Sequence, residues 1–314
     1  MIQNKIKQNY PLAELSTYKI GGPAEYFLQA ESQEEIEEAF AFAKAQNLPV
    51  TILGGGSNIL INDQGVKGLV IKLHNQEIEI KGDEVLCGAG VEVKTIAELA
   101  FEKNLSGIEW SIGIPGSMGG AIRGNAGAHG GSFDQVVELV RVFDCEKFLW
   151  VDCMPEDCGF AYRSSRFKTE PHYIIWEVQL RLKATEDKTA MEKVMNEYRE
   201  YRRTSQPKEP SAGCVFKNFF AKDIEEANKD LFARAEKDQK IRGGKIGAGY
   251  LIEILNLKGS SIGGAKISEQ HANFLVNVEK ASAADVRALI NKIKTEVKKE
   301  LAVDMEEEIQ YIGF

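Results

Sequence analysis

Three stretches of this sequence carry residue types in patterns that ordinary packing does not require. In PSAGCVFKNF, Pro210 to Phe219, Cys214 follows a small-residue pair and precedes Lys217 and Asn218. A thiol there is open to five roles: packing, redox partner, metal ligand, nucleophile or proton donor. In TILGGGSNIL, a short apolar run leads into Gly54, Gly55, Gly56, Ser57 and Asn58. Such glycines let backbone approach a ligand closely, and successive N–H groups form a nest for an anion such as phosphate. A plain glycine-rich turn would use the same residues. The third stretch, GIPGSMGGAIRGNAGAHGG, has glycine at eight of nineteen positions from Gly113 to Gly131. A turn needs one or two, and the excess carries an entropic cost that close packing against a flat ligand would explain. The P-loop lysine and the GxGxxG fingerprint are both missing, so neither a P-loop nor a standard dinucleotide fold is indicated. Together the two clusters suggest one extended ligand with a pyrophosphate, gripped by two units.

The elements around these stretches can be read from periodicity and punctuation. Ser32 with Glu35 looks like a capping box. Ile36, Ala39, Phe40 and Ala43 then keep helical spacing up to about Asn47, before Pro49. Strands are expected at Val50–Leu53 and Leu69–Leu73, and a hairpin with a Gly-Asp turn in EIEIKGDEVLCGAG. VEVKTIAELAFEKN reads as a helix. VVELVRVFD, FLWVD and YIIWEVQLRLK are β-rich and suggest an antiparallel or mixed sheet. A polar helix runs from Glu186 to Arg203. Further on come a helix at IGAGYLIEILN and a strand at Phe274–Val278. The last helix has Ser282 as N-cap, Asp285 at N3 and an apolar stripe of Val286, Leu289, Ile290, Ile293 and Val297. A short strand, Ile309–Ile312, follows it. The expected division is 1–73, 74–199 ending in a linking helix, 200–300, and a tail at 301–314.

The chain has 314 residues, 43% of them apolar and 27% charged, with 39 basic against 47 acidic side chains and a formal charge of −8. Such a length calls for more than one core. The charge disfavours nucleic acid and anionic membranes as partners, so an anionic ligand needs a local basic site. No apolar run approaches the roughly 20 residues of a membrane helix, and MIQNKIKQNY lacks a signal-like segment. A cytoplasmic location and a monomer are expected. The five cysteines have irregular spacing. Cys145, Cys153 and Cys158 cluster without a CxxC pair or a nearby histidine, so neither a disulfide framework nor a zinc site is expected.

The two glycine-rich stretches resemble those of the UDP-N-acetylenolpyruvoylglucosamine reductases. So do STYKIGG, FAYRSSRFK, SAGCVFKNF, GYLIEILNLKG, KISEQHANFLVN and EEIQYIG, in that family's order and over nearly the whole chain. The resemblance implies an α+β fold of three domains. Two would form an FAD-binding region of the vanillyl-alcohol oxidase/p-cresol methylhydroxylase type, and a C-terminal α+β domain would bind substrate. It also implies noncovalent FAD, with NADPH as hydride donor. The implied reaction turns UDP-N-acetylglucosamine enolpyruvate into UDP-N-acetylmuramate, with hydride passing from flavin N5 to the enolpyruvyl methylene carbon and a proton reaching the adjacent carbon. The stretch from Phe219 to Gly247 is too short for an extra loop and a βαββ insertion, which matches the family's shorter form.

Residue roles follow from the same resemblance. Arg163, in FAYRSSRFK, matches the catalytic arginine, whose guanidinium can grip a carboxylate. Glu308 matches the catalytic glutamate; beside an anionic substrate it needs a proton or a partner such as Arg163. Cys214 stands where the family usually has a serine that protonates the carbanionic carbon. A thiol of ordinary pKa, about 8.5, is mostly protonated at neutral pH and can do the same work. Cofactor contacts are expected at Gly54, Gly55, Gly56, Ser57, Asn58, Gly113, Pro115, Gly116, Gly119, Gly120, Asn125, Ala126, Gly127 and Ala128. Substrate contacts are expected at Arg202, Lys217 and Asn218. Arg123 and His129 lie in the cofactor segment without an assigned role. The rival readings are an FAD-dependent oxidase of the same fold acting on an alcohol or sugar, a noncatalytic flavin or nucleotide-sugar binder, and a metal-binding regulator.

Overall fold

Apolar residues of the early strands meet in a parallel pair. Val50–Leu53 lies along Val66–Leu73, with Val50 opposite Leu69 and Leu53 opposite Lys72. The computed structural model, which describes residues 2–314, adds Lys7–Pro11 and Pro23–Ala30 to make a four-stranded sheet. The helix Gln33–Ala45 turns Ile36, Ala39 and Ala43 inward, as the spacing predicts. Its cap differs in one detail from the expected box: Ser32 Oγ accepts from Glu35 N–H, but the Glu35 carboxylate accepts from Glu31 N–H.

A second sheet is antiparallel throughout, in the spatial order Leu149–Cys153, Val137–Asp144, Tyr173–Arg181, Glu84–Gly88 and Ile78–Lys81. Lys81 opposite Glu84 confirms the two-residue Gly82-Asp83 turn. Leu28, Ile36 and Ile71 from the first sheet and its helix share one buried core with Val140, Phe143 and Val178 of the second.

By contact density the chain divides into two compact units. One comprises the chain up to Tyr10, Ala24–Gly56 and Lys67–Thr204; the other comprises Pro11–Pro23, Ser57–Val66 and Ser205–Phe314. Both sheets just described belong to the first unit. The second unit is built on an antiparallel sheet ordered Ser211–Cys214, Phe274–Asn277, Ala265–Ile267 and Ser261–Ile262. The helix Ala283–Leu301 buries its whole apolar stripe, Val286, Leu289, Ile290, Ile293 and Val297, in that unit's core.

This helix begins with an unusual concentration of caps. Ser282 and Asp285 form a reciprocal capping box, and the Asp63 carboxylate accepts from Ala283 and Ala284 N–H at 2.8 and 3.1 Å. All four of its orphan donors, Ser282 to Asp285, are thereby satisfied by side chains. Between Phe219 and Gly247 lie two short helices, Ala221–Ala227 and Lys229–Lys237, and a small three-stranded sheet. In chain order this stretch runs strand, helix, helix, strand, strand. Gln310–Ile312 pairs in parallel with Ile59–Ile61.

Asn273, 1% exposed, does the work of a strand residue with its side chain. Its Oδ1 accepts from Phe216 N–H at 2.9 Å and its Nδ2 donates to Phe216 C=O at 2.8 Å, while its own C=O accepts from Val215 N–H. Removing the amide strands two buried backbone groups, each costing about 1–3 kcal/mol. Asn273→Ala is therefore expected to lower unfolding free energy by about 2–4 kcal/mol, read from chemical denaturation. A loss below about 1 kcal/mol would mean that the amide does not carry this segment.

Candidate active site

The two glycine-rich segments of the first unit lie directly against each other. Gly55 N–H donates to Ser117 Oγ at 3.1 Å. A Cβ on Gly54 would sit 2.7 Å from that oxygen, and one on Gly55 would sit 2.5 Å from Ser117 N and 2.6 Å from Gly116 Cα. Only hydrogen fits on these faces, which is the physical reason for glycine here. Gly119 packs equally closely on Ala89, its hypothetical Cβ 2.8 Å from the alanine methyl. Part of the long segment is a short helix, Met118–Arg123, with Ser117 at its N-cap. Past Asn125 the chain makes a two-residue ladder in which Gly127 faces Ser132 and Ala128 faces Gly131.

Basic groups gather around these segments in an otherwise acidic protein. Lys72 Nζ donates to Gly54 C=O at 3.1 Å, and burial holds its pKa below the usual lysine value. Arg123 ends the short helix, half-buried, and burial lowers its pKa too. Arg202, on the helix Lys188–Ser205, lies over Gly113: a Cβ there would be 2.9 Å from Arg202 Cδ. His129, at φ 53°, stacks on Tyr198 of the same helix with centroids 4.0 Å apart. Burial, then the charge of Arg202, lowers its pKa. Desolvated cations beside backbone stripped of side chains fit a ligand bearing a diphosphate. Lys72 and Ser117 are contributors that the sequence reading did not single out; their only signals are a lysine inside an apolar strand and a serine beside Gly116.

Arg163 belongs to the same unit. It occupies the left-handed region at φ 55°, within a tight turn closed by two hydrogen bonds between Ala161 and Ser164. Such a conformation costs a non-glycine residue about 1–2 kcal/mol, so the surroundings must impose it. They do so from the cofactor segment. Asn125 Nδ2 donates to Ala161 C=O at 3.2 Å, and Ser165 Oγ donates to Arg123 C=O at 2.7 Å. Lys168 Nζ donates to Arg163 C=O.

In the second unit, Cys214 ends the strand Ser211–Cys214, and the residues after it pair with the tail. Glu308 N–H donates to Val215 C=O at 2.7 Å and Lys217 N–H to Glu306 C=O at 2.9 Å, with Phe216 bridged to Glu307. Cys214 thus adjoins the residue to which Glu308 is bonded. Lys217 forms an ion pair with Glu306. Asn218 Oδ1 caps the helix Ala248–Ile254 by accepting from Ala248 N–H at 3.1 Å. Ser57 and Asn58 also belong to this unit. A cavity of about 460 Å³ lies elsewhere in it, lined by Lys19, Asp63, Pro210, Asn277 and Lys280 among others. No assigned residue lines it, and Pro210 is at the opposite end of the Cys214 strand.

The chain is similar to known proteins over nearly its whole length. Residues 24–147 match the family model described as FAD binding domain, and residues 206–312 match UDP-N-acetylenolpyruvoylglucosamine reductase, C-terminal domain. The UDP-N-acetylenolpyruvoylglucosamine reductase of Carboxydothermus hydrogenoformans is 38% identical over 99% of this chain and 95% of its own length. That of Bacillus subtilis is 34% identical over 98% and 94%. The crystal structure of the reductase from Thermus caldophilus aligns with a TM-score of 0.77 at 34% identity, covering 96% of this chain and 97% of that one.

The glycine packing yields a direct test. Gly55→Ala should weaken FAD binding by at least about tenfold, because its methyl would drive the two segments apart. Titration of the apoprotein, followed by flavin fluorescence quenching, measures this. Unchanged affinity would show that the contact does not shape the cofactor site.

Proposed function

The chain belongs to the UDP-N-acetylenolpyruvoylglucosamine reductase family, and from that premise we propose how its residues divide the family's reaction. The enzyme is an FAD-dependent oxidoreductase that uses NADPH to reduce UDP-N-acetylglucosamine enolpyruvate to UDP-N-acetylmuramate for peptidoglycan synthesis. FAD, when bound, would supply the hydride-transfer chemistry between NADPH and the enolpyruvyl methylene carbon. Gly54–Ser57 and Gly113–Gly120 would hold its adenine and pyrophosphate portion, and Asn125–Ala128 its ring or ribityl chain. Lys72 and Arg123 supply positive charge there. The finer split of the first unit at 73/74 is part of the same reading, since each half carries its own sheet.

Reduction of the double bond leaves negative charge on the carbon bearing the carboxylate. Arg163 binds that carboxylate and stabilises the developing enolate. The Cys214 thiol donates the proton, and Glu308 stabilises the charge change beside it. Arg202, Lys217 and Asn218 bind the nucleotide-sugar portion. The observation that carries the pairing of Cys214 with Glu308 is the main-chain ladder between Val215–Lys217 and Glu306–Glu308. The reading further takes the enzyme as a cytoplasmic monomer. Among the described residues no helix is long and apolar enough to cross a membrane. An alcohol or sugar oxidase of the same fold is not favoured, because the reductase C-terminal domain spans residues 206–312.

The test is anaerobic. NADPH should bleach the flavin absorbance of the purified holoenzyme, and UDP-N-acetylglucosamine enolpyruvate should restore it with formation of UDP-N-acetylmuramate. Flavin that regains its colour only on admission of oxygen would contradict the reading.

A further inference from the structure

Asn58 closes the first glycine-rich segment, yet its amide is engaged on the chain's last residues. It sits in the left-handed region at φ 54°, where asparagine is one of the few tolerated side chains. Its Nδ2 donates to Glu308 C=O at 3.1 Å, and its own C=O accepts from Gln310 N–H at 2.9 Å. Gln310 Nε2 donates to the same Glu308 carbonyl at 3.2 Å. On the other side of the residue, Glu308 N–H donates to Val215 C=O at 2.7 Å. Both peptide groups flanking the Glu308 Cα are therefore fixed, and so is the direction in which its side chain leaves the backbone.

We propose that Asn58 is a positioning residue for Glu308, its carboxamide setting the orientation of that carboxylate rather than gripping the cofactor. The inference rests on the reading that Glu308 takes part in substrate reduction. The choice of residue follows from two simultaneous demands. Glycine would accept the backbone angle but offers no donor. Aspartate would accept it but would set a carboxylate oxygen against the Glu308 carbonyl, where no hydrogen bond can form. Only an amide meets both. Asn58 lies at the start of Ile59–Ile61, the strand that pairs with Gln310–Ile312. Asn58 therefore fixes Glu308, which precedes the strand Gln310–Ile312, from that strand's own pairing partner.

The two half-reactions separate this role from a cofactor contact. Asn58→Gly holoenzyme is expected to keep parental FAD affinity and the parental rate of reduction by NADPH. Its reoxidation by UDP-N-acetylglucosamine enolpyruvate should slow about 10- to 100-fold, as small misplacements of a reacting group do. The loss should fall on the rate at saturating substrate rather than on the apparent KM. Asn58→Asp, which keeps both size and tolerance of the backbone angle, should show the same pattern and serves if glycine loosens the turn. Equal losses in FAD affinity and reduction would make Asn58 a cofactor contact and overturn the inference, as would parental reoxidation. Glu308→Gln is measured alongside. If it reoxidises at the parental rate, the role of Glu308 itself fails; if it is slow while the Asn58 variants are not, the inference alone fails.

Discussion

A short run of main-chain pairing between Val215–Lys217 and Glu306–Glu308 is the constraint on which the chemistry proposed for the second unit depends. It brings a thiol and a carboxylate from distant parts of the chain to neighbouring backbone positions. Neither partner segment is a regular strand over this run, so each needs support from outside. Asn273 holds Phe216 by both backbone groups, and Asn58 and Gln310 hold the Glu308 carbonyl. Each of these bonds adds only about 1 kcal/mol net, but a buried amide or carbonyl left unpaired costs more. The asymmetry makes the arrangement close to all-or-none, which suits groups that must be held in place before substrate arrives.

The first unit solves a related problem with different means. Its two glycine-rich segments press directly on each other, so glycines replace side chains where Ser117 and Gly116 meet Gly54 and Gly55. Under the proposed function an anion must bind here against a formal charge of −8. Lys72 and Arg123 are the partly desolvated cations available for it, and burial lowers the pKa of both. Arg163 is held in a strained turn by bonds to Asn125 and Arg123. The second glycine-rich segment therefore fixes the turn that carries Arg163.

Much of the fold was legible where local chemistry decides it. The caps at Ser32 and Ser282, the Gly82-Asp83 turn and the stripe from Val286 to Val297 each depend on residues close in sequence. Pairing between distant segments was not legible. Alternation cannot tell that Gln310–Ile312 joins Ile59–Ile61, nor that Pro11–Pro23 and Ser57–Val66 pack with the C-terminal unit. The candidate site divides the same way. Motif residues such as Cys214 and Glu308 announced themselves through family resemblance. Asn273 sits in an apolar strand context, HANFLVN, where a buried amide gives no hint of which backbone it serves. Part of the long glycine-rich segment proved to be helix at Met118–Arg123, where Met118 and Gly119 N–H donate to Val91 and Ala89 C=O and Gly119 packs closely on Ala89.

The central claim is that the thiol beside Glu308 delivers the proton to substrate. Anaerobic stopped-flow reoxidation of NADPH-reduced enzyme by UDP-N-acetylglucosamine enolpyruvate, compared across Cys214→Ala, Cys214→Ser and the parent, tests it most directly. The account predicts that all three are reduced equally fast by NADPH, that the alanine variant is reoxidised at least about 100-fold more slowly, and that serine retains most of the activity. An alanine variant reoxidised at the parental rate would contradict it.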